Sequence, residues 1–308
     1  MQKQRDAIAV VIPCYNEAIT IGKVVRDFRT ILPSAAIYVF DNDSTDHTAQ
    51  AAQEAGAIVI REKRRGKGRV VQSILKKIAA EYYVMVDGDD TYPAEYAGPL
   101  LDEVIKDRAD MAVGNRLVTH EGTAFRPFHV LGNNLVRGLV NKLFGTSLRD
   151  IMSGYRVFSE EVGQGITILA EGFEVETEMT LQCLNKGFVI REVDIPYRAR
   201  REGSHSKLKT FSDGYRVVKA IFIIFRDYRP LLFFGSLAGL LFLTGVASGS
   251  VVVMEFIHTR FITHVPLAIL AVGCVVSSLL LFGVGLILDS IKNRLNELYS
   301  YVQRKGAR

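Results

Sequence analysis

The chain predicts an α/β fold on a mostly parallel sheet, followed by a C-terminal two-helix transmembrane hairpin. Three observations carry this. Apolar β-type runs alternate with helix-compatible segments over the first 115 residues, acidic clusters follow two of those runs, and two long uncharged stretches close the chain. A length of 308 residues leaves room for one sizeable α/β domain and a smaller appendage.

The β-type runs are Ala7–Ile12, Ile37–Phe40, Ile58–Ile60, Tyr82–Val86 and Met111–Val113. Helix-compatible spacing fills Glu17–Thr30, Thr45–Ala55, Gly68–Ala80 and Ala94–Asp107, with Ser44 or Thr45 as N-cap and Gly56 as terminator. Such βαβ punctuation puts helices on both sheet faces and ligands at the carboxyl ends of the strands. Residues 127–145 form an amphipathic helix, with Phe128, Leu131, Leu135, Leu139 and Leu143 opposite Asn134, Arg137, Asn141 and Lys142. Lipid-interface and core-facing helices share this stripe, and the pattern leaves both readings open. A second amphipathic segment runs from about Asp213 to Tyr228.

Leu231–Met254 and Val265–Leu288 are each 24 residues without a charge. As helices they reach about 36 Å, enough to span a bilayer. Residues 207–230 hold six Lys or Arg and 289–308 hold five, against one in 255–264. The positive-inside rule therefore places both flanks, and with them both termini, in the cytoplasm. The predicted organisation is a cytoplasmic α/β domain over 1–210, a juxtamembrane amphipathic helix over 211–230, the two-helix hairpin over 231–289 and a basic tail over 290–308.

The net charge of +5 is compatible with nucleic acid, anionic lipid or a phosphorylated substrate. Because Lys and Arg cluster beside the apolar stretches and no nucleic-acid motif appears, the lipid bilayer is the predicted partner and nucleic acid is not. Cys14, Cys183 and Cys274 are odd in number and far apart, which fits a reducing compartment rather than a disulfide framework. The N-terminal apolar run is short and ends at Pro13, so it reads as a strand and not a signal peptide. Gly235, Gly239, Gly245 and Gly249 offer a small-residue route to a homo-oligomer.

Val84-Met85-Val86 leads into Asp87-Gly88-Asp89-Asp90, which puts carboxylates where a parallel sheet presents its ligand site. Mg2+ or Mn2+ takes oxygen ligands and is commonly held by one or two carboxylates plus substrate phosphates, a role open to Asp87 and Asp89. A solvated turn explains the same residues. Asp41-Asn42-Asp43-Ser44-Thr45-Asp46 occupies the equivalent place after the second run, where helix capping and ligand recognition both account for it.

With P-x-Y-N-E at Pro13–Glu17, D-x-D-S-x-D at Asp41–Asp46, RGKG at Arg65–Gly68, DGD at Asp87–Asp89, RD-x-x-SGYR at Arg149–Arg156 and S-K-L at Ser206–Leu208, the chain resembles the family 2 glycosyltransferases of Rossmann-like GT-A fold. More narrowly it resembles the dolichyl-phosphate mannose synthase and bactoprenol glucosyltransferase branch, over roughly residues 7–215. The resemblance implies transfer of a sugar from a nucleotide diphosphate sugar to a polyprenyl phosphate. It implies that Pro13, Tyr15, Glu17, Asp41, Asp43, Asp87 and Gly88 line the nucleotide-sugar pocket, that Lys67 approaches the diphosphate, and that Asp87 and Asp89 hold the metal. The acceptor phosphate would meet Arg116, Arg149, Ser153, Arg156, Arg201, Ser206 and Lys207, with Asp87, Asp89 and Lys207 as the catalytic set. Structural ion pairing is the competing account of Arg116 and Arg156, and lipid attraction that of 198–209.

A phosphate monoester is already anionic near neutral pH and needs no strong base, so direct displacement with inversion is expected. Thr91 stands where mannose synthases of the branch often carry Gln, a departure that bears on the third metal ligand and on mannose specificity; a UDP-sugar is the favoured donor, and GDP-mannose stays open. His205 interrupts the usual small loop before Ser206. A processive polysaccharide synthase is disfavoured by the absence of tryptophan and by only two predicted spans. A catalytically inactive nucleotide-sugar-binding membrane partner is the remaining alternative.

Overall fold

A computed structural model describes residues 5–116, 127–172, 174–198, 222–223 and 225–306. The chain divides into two compact units, Met1–Val217 and Val218–Arg308.

The first unit carries a seven-stranded sheet of order β3-β2-β1-β4-β6-β5-β7. Its strands are β1 (Asp6–Cys14), β2 (Ala36–Asp41), β3 (Ile58–Arg61), β4 (Ala80–Met85), β5 (Met111–Asn115), β6 (Arg156–Ser159) and β7 (Ile190–Asp194). All neighbours pair in parallel except β6, which is antiparallel to both β4 and β5. The predicted runs all lie on strands, though Val86 falls one residue beyond β4. β6 and β7 were not anticipated. Four residues of mixed polarity in β6 and the half-exposed IREVD of β7 carry no strong two-residue alternation.

Helices α1 (Ile21–Ile31), α2 (Thr48–Glu54) and α4 (Ala97–Ile105) cover one face of the sheet, while α3 (Lys67–Lys77), α6 (Glu160–Gly165) and α7 (Val175–Asn185) cover the other. Period-two geometry divides β1 between them: Val10 and Ile12 pack with Val24, Phe28 and Leu100, and Ala9 and Val11 pack with Val71, Ile74 and Met179. Each fully buried side chain of this size contributes about 1.5–3 kcal/mol. Helix α2 starts later than its pattern suggested, because Ser44 and Thr45 hydrogen-bond to Asn16 instead of capping. Gly56 does end that helix region, at a φ of +92°.

Helix α5 (Pro127–Phe144) forms over the predicted stripe. Among its described side chains, Val136 and Val140 are fully buried and Leu135 is 55% exposed, so the buried side is turned one residue from the leucine row. Asn141, on the expected polar face, fastens the helix end by accepting from Thr146 Oγ1 and Leu148 N.

In the second unit, α8 (Pro230–Thr259) and α9 (Val265–Gly306) have apolar windows of mean hydropathy 2.0 and 2.6, long and apolar enough to cross a membrane. The two helices pack along small and β-branched side chains. Buried residues recur every seven positions, at Ala238, Gly245 and Val252 on α8 and at Ala271 and Ser278 on α9, the spacing of a helical seam. Helix α9 continues through the basic tail, where Arg294 pairs with Glu297 and no proline interrupts the chain. The predicted juxtamembrane helix lies mostly outside the described residues.

Candidate functional site

β1, β2 and β4 are parallel neighbours, with Cys14 beside Asp41 and Val11 beside Met85. Their following loops therefore emerge at one sheet edge. Asn42 N donates to Cys14 O, Glu17 N to Thr48 Oγ1 at 2.8 Å, and Thr45 N to Asn16 Oδ1 at 2.8 Å. Asn42 also donates to the carbonyls of Glu62 and Arg64 and accepts from Gly66 N at 2.7 Å, which ties the RGKG segment to the same edge. This brings Pro13, Tyr15, Glu17, Asp41 and Asp43 together with the start of α3. The Arg65 guanidinium stands 5.0 Å over the Tyr15 ring. Asp43, at a φ of 60°, pairs with Arg61 and Arg65, and the Arg61 hydrogen bond leads in holding its carboxyl below the usual range.

The loop after β4 is held from several sides. Gly88 O accepts from Thr20 Oγ1 at 2.7 Å, and Asp89, buried, accepts from Thr91 N and Oγ1. Asp90 adopts φ 61° and is met by Lys23 Nζ at 2.7 Å. Lys67, from the first turn of α3, reaches Asp87 and, at 2.5 Å, Glu176 of α7. Burial opposes the Lys67 charge most strongly, but the two carboxylates outweigh it and raise its pKa above the ordinary lysine value. Glu176 is shifted upward by burial, against the pull of Lys67. Gly154 roofs this group: a Cβ there would stand 2.5 Å from Asp87 Oδ2 and 3.0 Å from Lys67 Nζ. Likewise a Cβ on Gly68 would stand 2.0 Å from Ala170 O, so only glycine lets α3 start where Lys67 can reach inward.

β6 enters antiparallel to β4, with Arg156 beside Met85, so residues 149–154 return to the same edge. β5 and β7 end there too, delivering Arg116 and residues 195–198. Arg116 forms a two-pronged pair with Asp150, at 2.7 and 3.0 Å, and lies 5.4 Å over the Tyr197 ring. Burial opposes both charges most strongly. The pairing prevails, raising the Arg116 pKa and lowering that of Asp150. Arg149 is half-exposed and pairs with Asp194 at 2.6 Å and Glu192 at 3.5 Å.

Two expectations are corrected. Arg156 is fully buried and donates to Ser153 O, Ile151 O and Thr180 Oγ1, so it shapes the 151–153 turn from behind rather than presenting its charge to an acceptor. Ser153 is fully buried as well, its hydroxyl accepting from Tyr155 N. Arg201, Ser206 and Lys207 lie outside the described residues. Glu176, Lys23 and Glu192 were missed. Glu176 and Thr180 are polar residues one turn apart on the buried side of α7, a pattern that the surrounding ETEM run hides.

Asp87 and Asp89 fit a hard divalent cation: both offer carboxylate oxygen, from one short loop tied down on both sides. Among the described residues no group of three His, Cys, Asp or Glu is placed to hold a metal, so substrate oxygens would have to complete the coordination.

The chain matches the family described as Glycosyl transferase family 2 over residues 9–164. It is 33% identical over 282 residues to Glycosyltransferase AglJ of Haloferax volcanii, covering 91% of this chain and 92% of that protein. Dolichyl-phosphate hexose transferase of the same organism is 32% identical over 216 residues, covering 70% and 92%. Dolichol-phosphate mannosyltransferase of Pyrococcus furiosus is 29% identical over 218 residues, covering 66% and 59%. Among solved structures, glucosyl-3-phosphoglycerate synthase from Mycobacterium tuberculosis in complex with Mn2+, UDP and glucosyl-3-phosphoglycerate aligns with a TM-score of 0.59 at 20% identity, over 72% of this chain and 80% of that one. That likeness is one of fold. The chain belongs to glycosyl transferase family 2, with a mixed α/β, Rossmann-like GT-A fold and two apolar C-terminal helices as candidate membrane spans.

Proposed function

We propose that the protein transfers a hexose from a nucleotide diphosphate sugar, with UDP favoured, to a polyprenyl phosphate, with inversion, at the cytoplasmic face of a membrane. The observation that carries this is the convergence of an acidic loop, Asp87–Asp89, and a set of arginine-bearing turns on one sheet edge, in a chain similar to a dolichyl-phosphate hexose transferase. One group suits a metal-bound diphosphate and the other a phosphate monoester.

Tyr15, Glu17, Asp41 and Asp43 hold the nucleoside, and Lys67 lies toward the diphosphate. A divalent cation held by Asp87 and Asp89 would neutralise the leaving diphosphate. The acceptor phosphate is positioned by Arg116 and Arg149 with Arg201, Ser206 and Lys207. Its oxygen attacks the anomeric carbon as the bond to the nucleotide diphosphate breaks, and the departing negative charge falls to Lys67. No proton has to be removed from the nucleophile, so positioning and charge supply the acceleration. The two apolar helices anchor the chain beside its lipid acceptor, with the basic flanks in the cytoplasm.

The test incubates membranes carrying the protein with labelled UDP- and GDP-sugars, undecaprenyl or dolichyl phosphate, and Mg2+ or Mn2+. Label entering the organic phase with one donor, and abolished by Asp89→Ala, is the expected result. No transfer from any donor, or unchanged transfer by Asp89→Ala, overturns the reading.

A further inference from the structure

Lys67, Asp87 and Glu176 come from three separate elements, and one cation serves both carboxylates. The three are unequally open to solvent. The Glu176 side chain is 5% exposed and Lys67 10%, against 28% for Asp87. Glu176 is thus the inner partner and Asp87 the outer one. A buried carboxylate without a counter-charge is strongly unfavourable, whereas one that reaches solvent can exchange partners.

That asymmetry matters for any cation that arrives at Asp87. The incoming ion competes with the Lys67 ammonium for the same carboxylate. Were Asp87 the lysine's sole partner, binding the ion would leave an ammonium stranded in a closed site. Glu176 removes that obstacle, because Lys67 keeps an ion pair behind it when Asp87 changes hands. Glu176 also keeps the cluster's net charge more negative, which favours a divalent cation through space. Both effects have the same sign.

We propose that Glu176 is a positioning residue for the divalent cation: it retains Lys67 when the cation takes Asp87, and so sets metal affinity without touching metal or substrate. The inference rests on Asp87 and Asp89 being the metal pair.

The experiment titrates Mn2+ into the full-length protein in detergent with UDP, following the paramagnetic resonance of free Mn2+, for the wild type, Asp89→Asn, Glu176→Gln, Lys67→Met and the double variant Lys67→Met/Glu176→Gln. Wild-type binding that disappears in Asp89→Asn upholds the metal pair; no binding by the wild type overturns both that reading and this one. Given wild-type binding, Glu176→Gln raises the Mn2+ Kd by about tenfold. Its transfer rate recovers as Mn2+ is raised, so the change falls on metal saturation more than on kcat. The double variant, lacking the competing ammonium, returns to wild-type Mn2+ affinity or tighter although it turns over poorly. A merely structural role for Glu176 predicts a double variant as weak as the single one. That outcome, or unchanged Mn2+ affinity in Glu176→Gln, sinks the proposal.

Discussion

Around the ends of β1, β2 and β4, loops are joined to loops by hydrogen bonds from backbone and small polar side chains: Asn16 with Ser44 and Thr45, Asn42 with residues 62–66, Thr20 with Gly88. Around β5, β6 and β7 the same edge is held by charged pairs, Arg116 with Asp150 and Arg149 with Asp194, and by Arg156 bonded to the chain behind them. The first half is preorganised with its carboxylates gathered. Charged groups have partners in both halves: a cation must take Asp87 from Lys67, and an anionic ligand must share or displace a carboxylate to engage Arg116 or Arg149. The two halves should therefore fail differently: the acidic loop by losing chemistry, the arginine turns by losing stability or acceptor affinity.

The largest effect is expected at the acidic loop. On the proposed reading Asp89, a buried carboxylate that Thr91 holds in place, would carry the cation that faces the leaving diphosphate, so Asp89→Ala should lower transfer by at least about 10²–10³-fold. Product counting in the organic phase measures it, with the melting temperature recorded alongside to separate chemistry from folding. Gly154→Ala comes next, since its Cβ would press on both Asp87 and Lys67. A displacement of about 1 Å costs about 10²-fold in rate. If Gly154→Ala retained full kcat, the roof over Asp87 would not constrain the chemistry.

The legibility of the two halves differs for a physical reason. In the first, each site segment directly follows a strand in the parallel part of the sheet, so one apolar run followed by acidic residues marks both position and chemistry, and the sequence alone puts Asp41 and Asp87 at one edge. In the second, the edge is assembled by the antiparallel β6, whose four residues give no periodic signal and whose pairing partner β4 lies far earlier in the chain. Motif identity marked Arg156 and Ser153, but burial is decided by long-range packing that spacing does not encode. Glu176 was hidden for the same reason: its partner Lys67 is distant in sequence and reaches it through a gap that Gly68 permits.

Arg156 tests whether the second half fails by stability. Replacing it with Met takes the Arg156 donor from Ser153 O and the Thr180 hydroxyl inside the core and leaves Ile151 O only the long bond from Thr180 Oγ1, a loss of about 3 kcal/mol. Thermal unfolding of the detergent-solubilised protein should register it as a clear drop in Tm. A variant with wild-type Tm and a raised acceptor KM would reinstate Arg156 as a phosphate ligand.

Arg149 carries the smallest effect and the cleanest distinction. Its side chain is half-exposed, its pair with Asp194 is solvent-screened, and the largely buried Glu192 side chain stands 3.5 Å away while also accepting from Arg149 N and Asp150 N, so Arg149→Ala should change stability by about 1 kcal/mol. On the proposed reading, in which this guanidinium meets the acceptor phosphate, Arg149→Ala should raise the KM for polyprenyl phosphate about 3- to 10-fold while leaving the donor KM alone. Arg149→Lys should recover only part of that affinity, because an ammonium cannot offer the two-pronged geometry of a guanidinium. Equal increases in donor and acceptor KM would mean that the two halves of the edge act as one unit, and the contrast between them would fail at its most exposed residue.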